Sequence, residues 1–312
     1  MSFFVFPGQG SQHVGMGKCL FGNFSEVRLI FEQAEDILQT NIKKILFEGN
    51  DQQLKDTTIA QPAIFIVSAS ALAALQIIAE KKFKNLATII AGHSLGQYTA
   101  LFAAGALNFE DTLSLIKIRA QLMSQAPTGA MAACLNIPKE SVNAAIQDIQ
   151  KNDILSIANY NSNTQLIVSG TISAINQIQS KLKDEKGKVI VLNVSGAFHS
   201  KLMQPVVEKL NQVVQQYQFS SPVVTVISNT TAQPLYQNLI AQELVVHLTM
   251  PVLWSKSVEY AKSYNTGQSK NYFVEIGPKN VLSNLAKRDE KDFEFFNLET
   301  TKSIKAFISS MC

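Results

Sequence analysis

In Ala91-Gly-His-Ser-Leu-Gly96 a serine stands between two glycines, the first place in this chain where residue types and spacing suggest chemistry. Gly92 and Gly96 flank Ser94 at the G-x-S-x-G spacing of a sharp turn from strand to helix, which holds the serine strained and its hydroxyl exposed. Glycines at those places let neighbouring backbone come close. The following helix would aim its N-terminus at the same point, leaving the backbone N–H of Leu95 to donate to an oxyanion. The pentapeptide alone also arises by chance. Its context is what the motif requires: the apolar run Ala87-Thr-Ile-Ile-Ala91 before it and an alanine-rich segment to Gly105 after it.

Three further places could serve a serine nucleophile, and each also has a plain structural reading. Pro7-Gly-Gln-Gly-Ser-Gln12 follows a short apolar strand, Phe3–Phe6, and can continue neither strand nor helix. It is either a solvated turn or a loop that closes over Ser94 and lends a second oxyanion donor from its backbone. Arg119 lies on an apolar helical stretch, Glu110 to Ala126, where an arginine is usually a surface residue with a buried stem. His199 is one of 4 histidines, with His13, His93 and His247. It follows a strand and a glycine at a domain junction, where clefts form.

The elements that would position these groups alternate between strand and helix. Val27, Ile30, Phe31, Ala34, Ile37 and Leu38 give Ser25 to Leu38 a helical face. Pro62 is expected to open the next helix at its first turn, where its missing N–H is harmless. From Gly129 the texture changes. Strand Ala130–Leu135, helix Lys139–Gln150, strand Ile154–Ala158, the turn-prone Asn159–Asn163, strand Gln165–Ser169, helix Ile172–Leu182 and strand Val189–Val194 follow in turn. That βαββαβ order is the ferredoxin-like pattern. It reads as a small domain, 128–195, inserted into a larger one made of 1–127 and 196–312. Val223–Asn229 and Tyr272–Gly277 read as later strands of the main sheet, and Asn280 to Lys287 begins the closing helix.

Composition narrows the classes. With 46% hydrophobic and 16% charged residues over 312 positions, the chain reads as an ordinary globular protein with a sizeable core. A net charge of +3, with no basic patch interleaved with aromatics, excludes a nucleic-acid reading. Cys19, Cys134 and Cys312 are widely spaced and suit free thiols in a reducing compartment, with neither a disulfide framework nor a zinc site. The start, Met1-Ser-Phe-Phe-Val-Phe-Pro7, lacks the basic region and long apolar core of a secretory signal, so a cytoplasmic protein is expected. Pro62 to Ala79 is apolar except for Ser68, Ser70 and Gln76, and is expected to be a buried helix rather than a membrane span.

Taken together the motifs resemble those of the malonyl-CoA:acyl carrier protein transacylases, including the free-standing acyltransferases that serve modular polyketide synthases. The resemblance is carried in order by Phe6-Pro-Gly-Gln-Gly-Ser-Gln12, Gly92-His-Ser-Leu-Gly96, Ile118-Arg-Ala-Gln-Leu-Met123 and Gly129-Ala-Met-Ala-Ala133. It continues through Ala158-Asn-Tyr-Asn-Ser162, Gly196-Ala-Phe-His-Ser200, Ile227-Ser-Asn229, Pro251-Val-Leu-Trp254 and Glu275-Ile-Gly-Pro278. It implies an α/β fold, a large α/β-hydrolase-like subdomain with a mainly parallel sheet and a ferredoxin-like insert.

The resemblance also implies roles. Ser94 would be the acylated nucleophile, His199 its general base and acid, and Gln9 with Leu95 the backbone oxyanion donors. Arg119 would pair the free carboxylate of the acyl group, with His93, Phe198, Asn161 and Gln61 around the substrate. A backbone carbonyl, expected at Leu253, would orient the histidine. The implied reaction carries a malonyl group from malonyl-CoA to the phosphopantetheine thiol of an acyl carrier protein, with no metal or redox cofactor, within fatty acid or polyketide synthesis. Bulky Phe198 is expected to favour malonyl over methylmalonyl. The family's glutamate after the elbow is replaced here by Gln97. That departure keeps open a thioester hydrolase using the same Ser94 and His199, and a silent docking protein stands as a third reading.

Overall fold

Apolar residues fill the four consecutive positions Phe3 to Phe6 of the first strand, Ser2–Phe6, because it lies mid-sheet with both faces covered. The computed structural model describes residues 1–194, 196–264 and 270–311; Ser195 and Cys312 lie outside the described residues. Its strands are β1 (Ser2–Phe6), β2 (Ile89–Gly92), β3 (Ala130–Leu135), β4 (Leu155–Ser162), β5 (Gln165–Gly170), β6 (Lys188–Val191), β7 (Thr225–Ile227), β8 (Tyr272–Ile276) and β9 (Glu294–Leu298). One sheet, in the order β7-β2-β1-β8-β9, is parallel throughout. Alternation along β1 sends Phe4 and Phe6 into a large core on one face, and Phe3 and Val5 into a smaller core around Trp254 and Phe273 on the other.

The second sheet, in the order β4-β5-β3-β6, is antiparallel, with the helices Lys139–Ile149 and Ile172–Lys181 in its crossovers. This is the ferredoxin-like arrangement that the βαββαβ pattern predicts. Its core is separate, built from side chains such as Val142, Leu166 and Ile178. β4 also bridges to Val252, which lies outside both sheets: the Tyr160 N–H donates to the carbonyl of Val252 at 2.9 Å and the Val252 N–H donates to that of Ala158 at 2.8 Å.

Three expectations need correction. The turn expected at Asn159–Asn163 is strand through Ser162: β4 pairs with β5 across two register shifts, and that pairing outweighs the turn preference of its asparagines. Pro62 does not open its helix, which runs Thr57–Ala79 and is capped by Asp56 accepting from the Thr58 N–H at 2.8 Å. The proline therefore sits inside the helix, and the Thr58 carbonyl lacks its helical donor. The helix Val281–Asp289 does not close the chain either, since β9 and the helix Thr301–Met311 follow it.

Thr57–Ala79 is the one helix among the described residues long and apolar enough to cross a membrane, and 72% of its most apolar window is buried inside the protein. It lies against the helix Phe109–Ser124, and together these two helices place Gln61 and Arg119 side by side.

Candidate active site

Ser94 sits in the turn between β2 and the helix Gly96–Ala103, with φ at 52°, in the left-handed region that few non-glycine residues adopt. The turn is pinned from outside: the Ser94 N–H donates to Asn229 Oδ1 at 2.8 Å, and Asn229 Nδ2 donates to the Gly92 carbonyl at 2.7 Å and to Gln97 Oε1. Asn229 is itself held by its N–H on Glu243 at 2.7 Å. Gln97 is fully buried, and its Nε2 has no partner among the described residues. Its neutral amide thus accepts from the asparagine that fixes the turn, and it adds no charge beside Ser94.

His199, also at positive φ, brings Nε2 to 2.8 Å from Ser94 Oγ across 105 residues of sequence. Its Nδ1 faces two carbonyls, His247 at 2.6 Å and Met250 at 3.1 Å. Carbonyls only accept, so the proton belongs on Nδ1, and the Nε2 lone pair accepts from the serine hydroxyl. The Leu253 expectation is corrected here, since its carbonyl accepts from the N–H and hydroxyl of Ser257. The carbonyls that orient the histidine lie just past the helix Gln237–Val246, where no further helical donors remain. Burial and the nearby Arg119 charge push the His199 pKa down to about 3, so the ring is neutral at physiological pH.

Arg119 is 1% exposed, and no carboxylate lies within ion-pair distance of it among the described residues. Its Nη1 donates to Gln61 Oε1, its Nη2 reaches Ser94 Oγ at 3.2 Å and His247 Nε2 at 3.3 Å, and its Nε has no partner. Buried cations are ordinarily paired. This one is held by neutral groups, with no anion beside it or Ser94 among the described residues.

Ser94, His199 and Arg119 open into a cleft of about 560 Å³ between the two sheets, bordered also by Gln9, Leu95, His93, Asn161 and Phe198. The backbone N–H groups of Gln9 and Leu95 have no acceptor among the described residues. His93 meets Asn161 Oδ1 at 3.0 Å and packs edge-on against Trp254. Gln61, expected around the substrate, does not border the cleft. It is fully buried behind Arg119, with its Nε2 on Thr57 at 2.8 Å. Asn229 and His247 are the residues that sequence reasoning missed. Asn229 ends the motif Ile227-Ser-Asn229 directly after β7, a position that could have flagged it; His247 carries no such signal.

The buried histidines also set an acid limit on stability. Half-buried His93 and buried His199 and His247 all have their pKa lowered from 6.5, first by burial. Their contribution is complete above the unfolded value and is lost as pH falls below 6.5, where the unfolded chain takes up the protons. Glu275 opposes them: burial pushes its carboxyl up from 4.5 to about 7, so its term weakens as pH rises through that window. Three imidazoles outweigh one carboxyl. Tm measured by calorimetry is expected to fall from pH 7 to pH 5, and a flat or rising Tm contradicts this balance.

The acyl transferase domain family matches residues 3–302. The chain is 38% identical over 296 residues to the polyketide biosynthesis malonyl CoA-acyl carrier protein transacylase PksC of Bacillus subtilis (strain 168), covering 94% of this chain and 99% of that one. It is 34% identical over 318 residues to the malonyl CoA-acyl carrier protein transacylase of the same organism, covering 99% and 96%. Among solved structures, the malonyl CoA-acyl carrier protein transacylase from Clostridium perfringens matches with TM-score 0.91 and 31% identity, covering 99% and 96%. The malonyl-transacylase PlMCAT, in complex with the type II PKS acyl-carrier protein AntF, matches with TM-score 0.92 and 30% identity, covering 99% of each chain.

Proposed function

This chain belongs to the acyl transferase family, and we propose that it carries a malonyl group from malonyl-CoA to the phosphopantetheine thiol of an acyl carrier protein through an ester on Ser94. The observation that carries this reading is the buried, anion-free Arg119 reaching Ser94 Oγ at 3.2 Å. A planar guanidinium can take the malonyl carboxylate through two parallel N–H donors. An acetyl group would leave the cation unpaired, and sites built to pair a polar group reject analogues that lack it.

In the first half-reaction Ser94 Oγ attacks the thioester carbonyl while its proton passes to His199 Nε2. The oxyanion lies between the backbone N–H groups of Gln9 and Leu95, each donor being worth about 3 kcal/mol in the transition state. Collapse breaks the carbon–sulfur bond, and the departing CoA thiolate takes the proton from Nε2. In the second half-reaction the carrier thiol gives its proton to Nε2 and attacks the ester, and Ser94 leaves with that proton. The carbonyls of His247 and Met250 favour the transient imidazolium. Every proton and electron pair is accounted for by these groups, so the scheme calls on no metal or redox cofactor.

Other features support the same reading. Lys55 and Arg288 border the cleft and suit the phosphates of CoA and of phosphopantetheine. Phe198 borders it beside the histidine, in keeping with malonyl over methylmalonyl. The 128–195 segment, as an insert between 1–127 and 196–312, would supply the far wall. Free thiols at Cys19 and Cys134 suit a reducing, cytoplasmic setting. The relatives' names leave fatty acid and polyketide synthesis equally open.

Intact-mass measurement after brief exposure to malonyl-CoA tests the proposal. A malonyl adduct is expected on the wild type and not on Ser94→Ala. Arg119→Ala is expected to lose malonyl acylation by about 100-fold or more and to shift preference towards acetyl-CoA. Release of free acetate from an acetyl carrier protein, with no malonyl adduct, would replace transfer with hydrolysis.

A further inference from the structure

His247 meets both halves of the site, its backbone carbonyl on His199 and its ring on Arg119. We propose that His247 is a positioning residue whose ring nitrogen aims Arg119 at the acyl carboxylate and so helps set selectivity for acyl groups with a free carboxylate. This rests on the reading of Arg119 as the carboxylate's partner.

The geometry fixes the direction of the contact. His247 Nδ1 lies 3.2 Å from the Glu243 carbonyl, so it carries the proton and leaves the Nε2 lone pair for Arg119 Nη2 at 3.3 Å. A guanidinium cannot accept, which makes the neutral Nδ1–H tautomer the only one that satisfies both neighbours. Burial, Arg119 and His199 together hold the His247 pKa well below the ordinary value, so that tautomer stays uncharged. The ring of Tyr98 lies under the guanidinium, 5.5 Å from its centroid, and meets His247 edge-on at 6.1 Å. Gln61, His247 and Tyr98 therefore hold Arg119 from three sides without neutralising it. A carboxylate in place of His247 would have paired the cation and closed the anion site. A neutral acceptor orients the fork and leaves its charge for the substrate.

A purely structural role predicts something different. The His247 ring also stacks on His199 at 5.7 Å between centroids, and a packing role alone would make its loss slow malonyl and acetyl transfer alike. The test is the ratio of Ser94 acylation rates with malonyl-CoA and acetyl-CoA, for wild type, Arg119→Ala, His247→Leu and His247→Gln. Leucine keeps bulk and removes the acceptor, and the ratio is expected to fall by about 10- to 100-fold, the range for a hydrogen bond to a charged group. Glutamine restores an acceptor and is expected to recover most of the ratio. An unchanged ratio in His247→Leu, with Arg119→Ala losing it, overturns this proposal alone. An unchanged ratio in Arg119→Ala overturns the reading of Arg119 and this proposal with it. The wild type gives a second measure that needs no variant: nitrogen NMR at pH 7 is expected to show His247 neutral and protonated on Nδ1, and a proton on Nε2 overturns the proposal.

Discussion

Replacing His199 with alanine is expected to slow acylation of Ser94 by about 10²- to 10⁴-fold, the usual worth of a positioned general base. A serine hydroxyl is a weak nucleophile at neutral pH and gains from a partner that takes its proton during attack. The Nε2 to Oγ distance of 2.8 Å already places that partner in reach. With its pKa pushed down to about 3, His199 is in the proton-accepting form throughout the neutral range. Such a ring is a weak base, and the carbonyls of His247 and Met250 compensate by stabilising the cation once it forms. The sign for pH follows. Activity needs the unprotonated ring, so it persists as pH falls from 7 and is lost only towards the lowered value, unless the fold fails first. Single-turnover release of CoA from malonyl-CoA measures the rate, with circular dichroism showing that the variant is folded. A His199→Ala protein that acylates within tenfold of wild type would remove the histidine from the mechanism.

The parts of this site that can be read from the sequence are those that act through a side chain beside a local signal. The paired glycines announce Ser94, and a strand with periodic helices around it supplies the parallel sheet. His199 has only a weak local mark, its place after a strand and a glycine at a domain junction, and Arg119 has none, because the contacts that define them cross 105 and 25 residues to Ser94; their roles come from the resemblance. The group orienting His199 is harder still. It is a backbone carbonyl, and any residue at position 247 would offer one, so no side chain marks it, and the resemblance points to Leu253 instead. Missed elements have their own reasons. β9 is an edge strand in which Glu294 is exposed, Phe295 to Asn297 are partly buried and Leu298 is buried, so no alternation stands out in Glu294-Phe-Phe-Asn-Leu298. In β4 the residues Asn159 to Ser162 favour a turn locally, and the ladder with β5 and the bridge to Val252 override them. Pro62 falls inside its helix because the helix start depends on Asp56, whose capping role outweighs the proline's preference for the first turn.

Gly92→Ala is expected to cost about 4 kcal/mol or more, enough to prevent recovery of folded protein from a domain of ordinary stability. A methyl carbon at that position would lie 1.8 Å from the Gly96 carbonyl oxygen and 2.4 Å from the Gln97 nitrogen, all backbone, with no flexible side chain to move aside. Gly96→Ala meets the Phe6 carbonyl oxygen at 2.1 Å in the same way, so the elbow is squeezed between its own helix and the end of β1. Relief would require separating β2 from the helix Gly96–Ala103, and the position of Ser94 depends on that contact. The contrast is Gly22, exposed in the helix Lys18–Asn23, where an added methyl meets nothing within 4 Å. Gly22→Ala removes backbone freedom from the unfolded chain and is expected to stabilise by about 0.5–1 kcal/mol. Urea unfolding of the two variants beside wild type separates the cases. A Gly92→Ala protein with a midpoint close to that of wild type would mean that the elbow can open without loss, and that the tight approach of its two glycines is not what holds Ser94 in place.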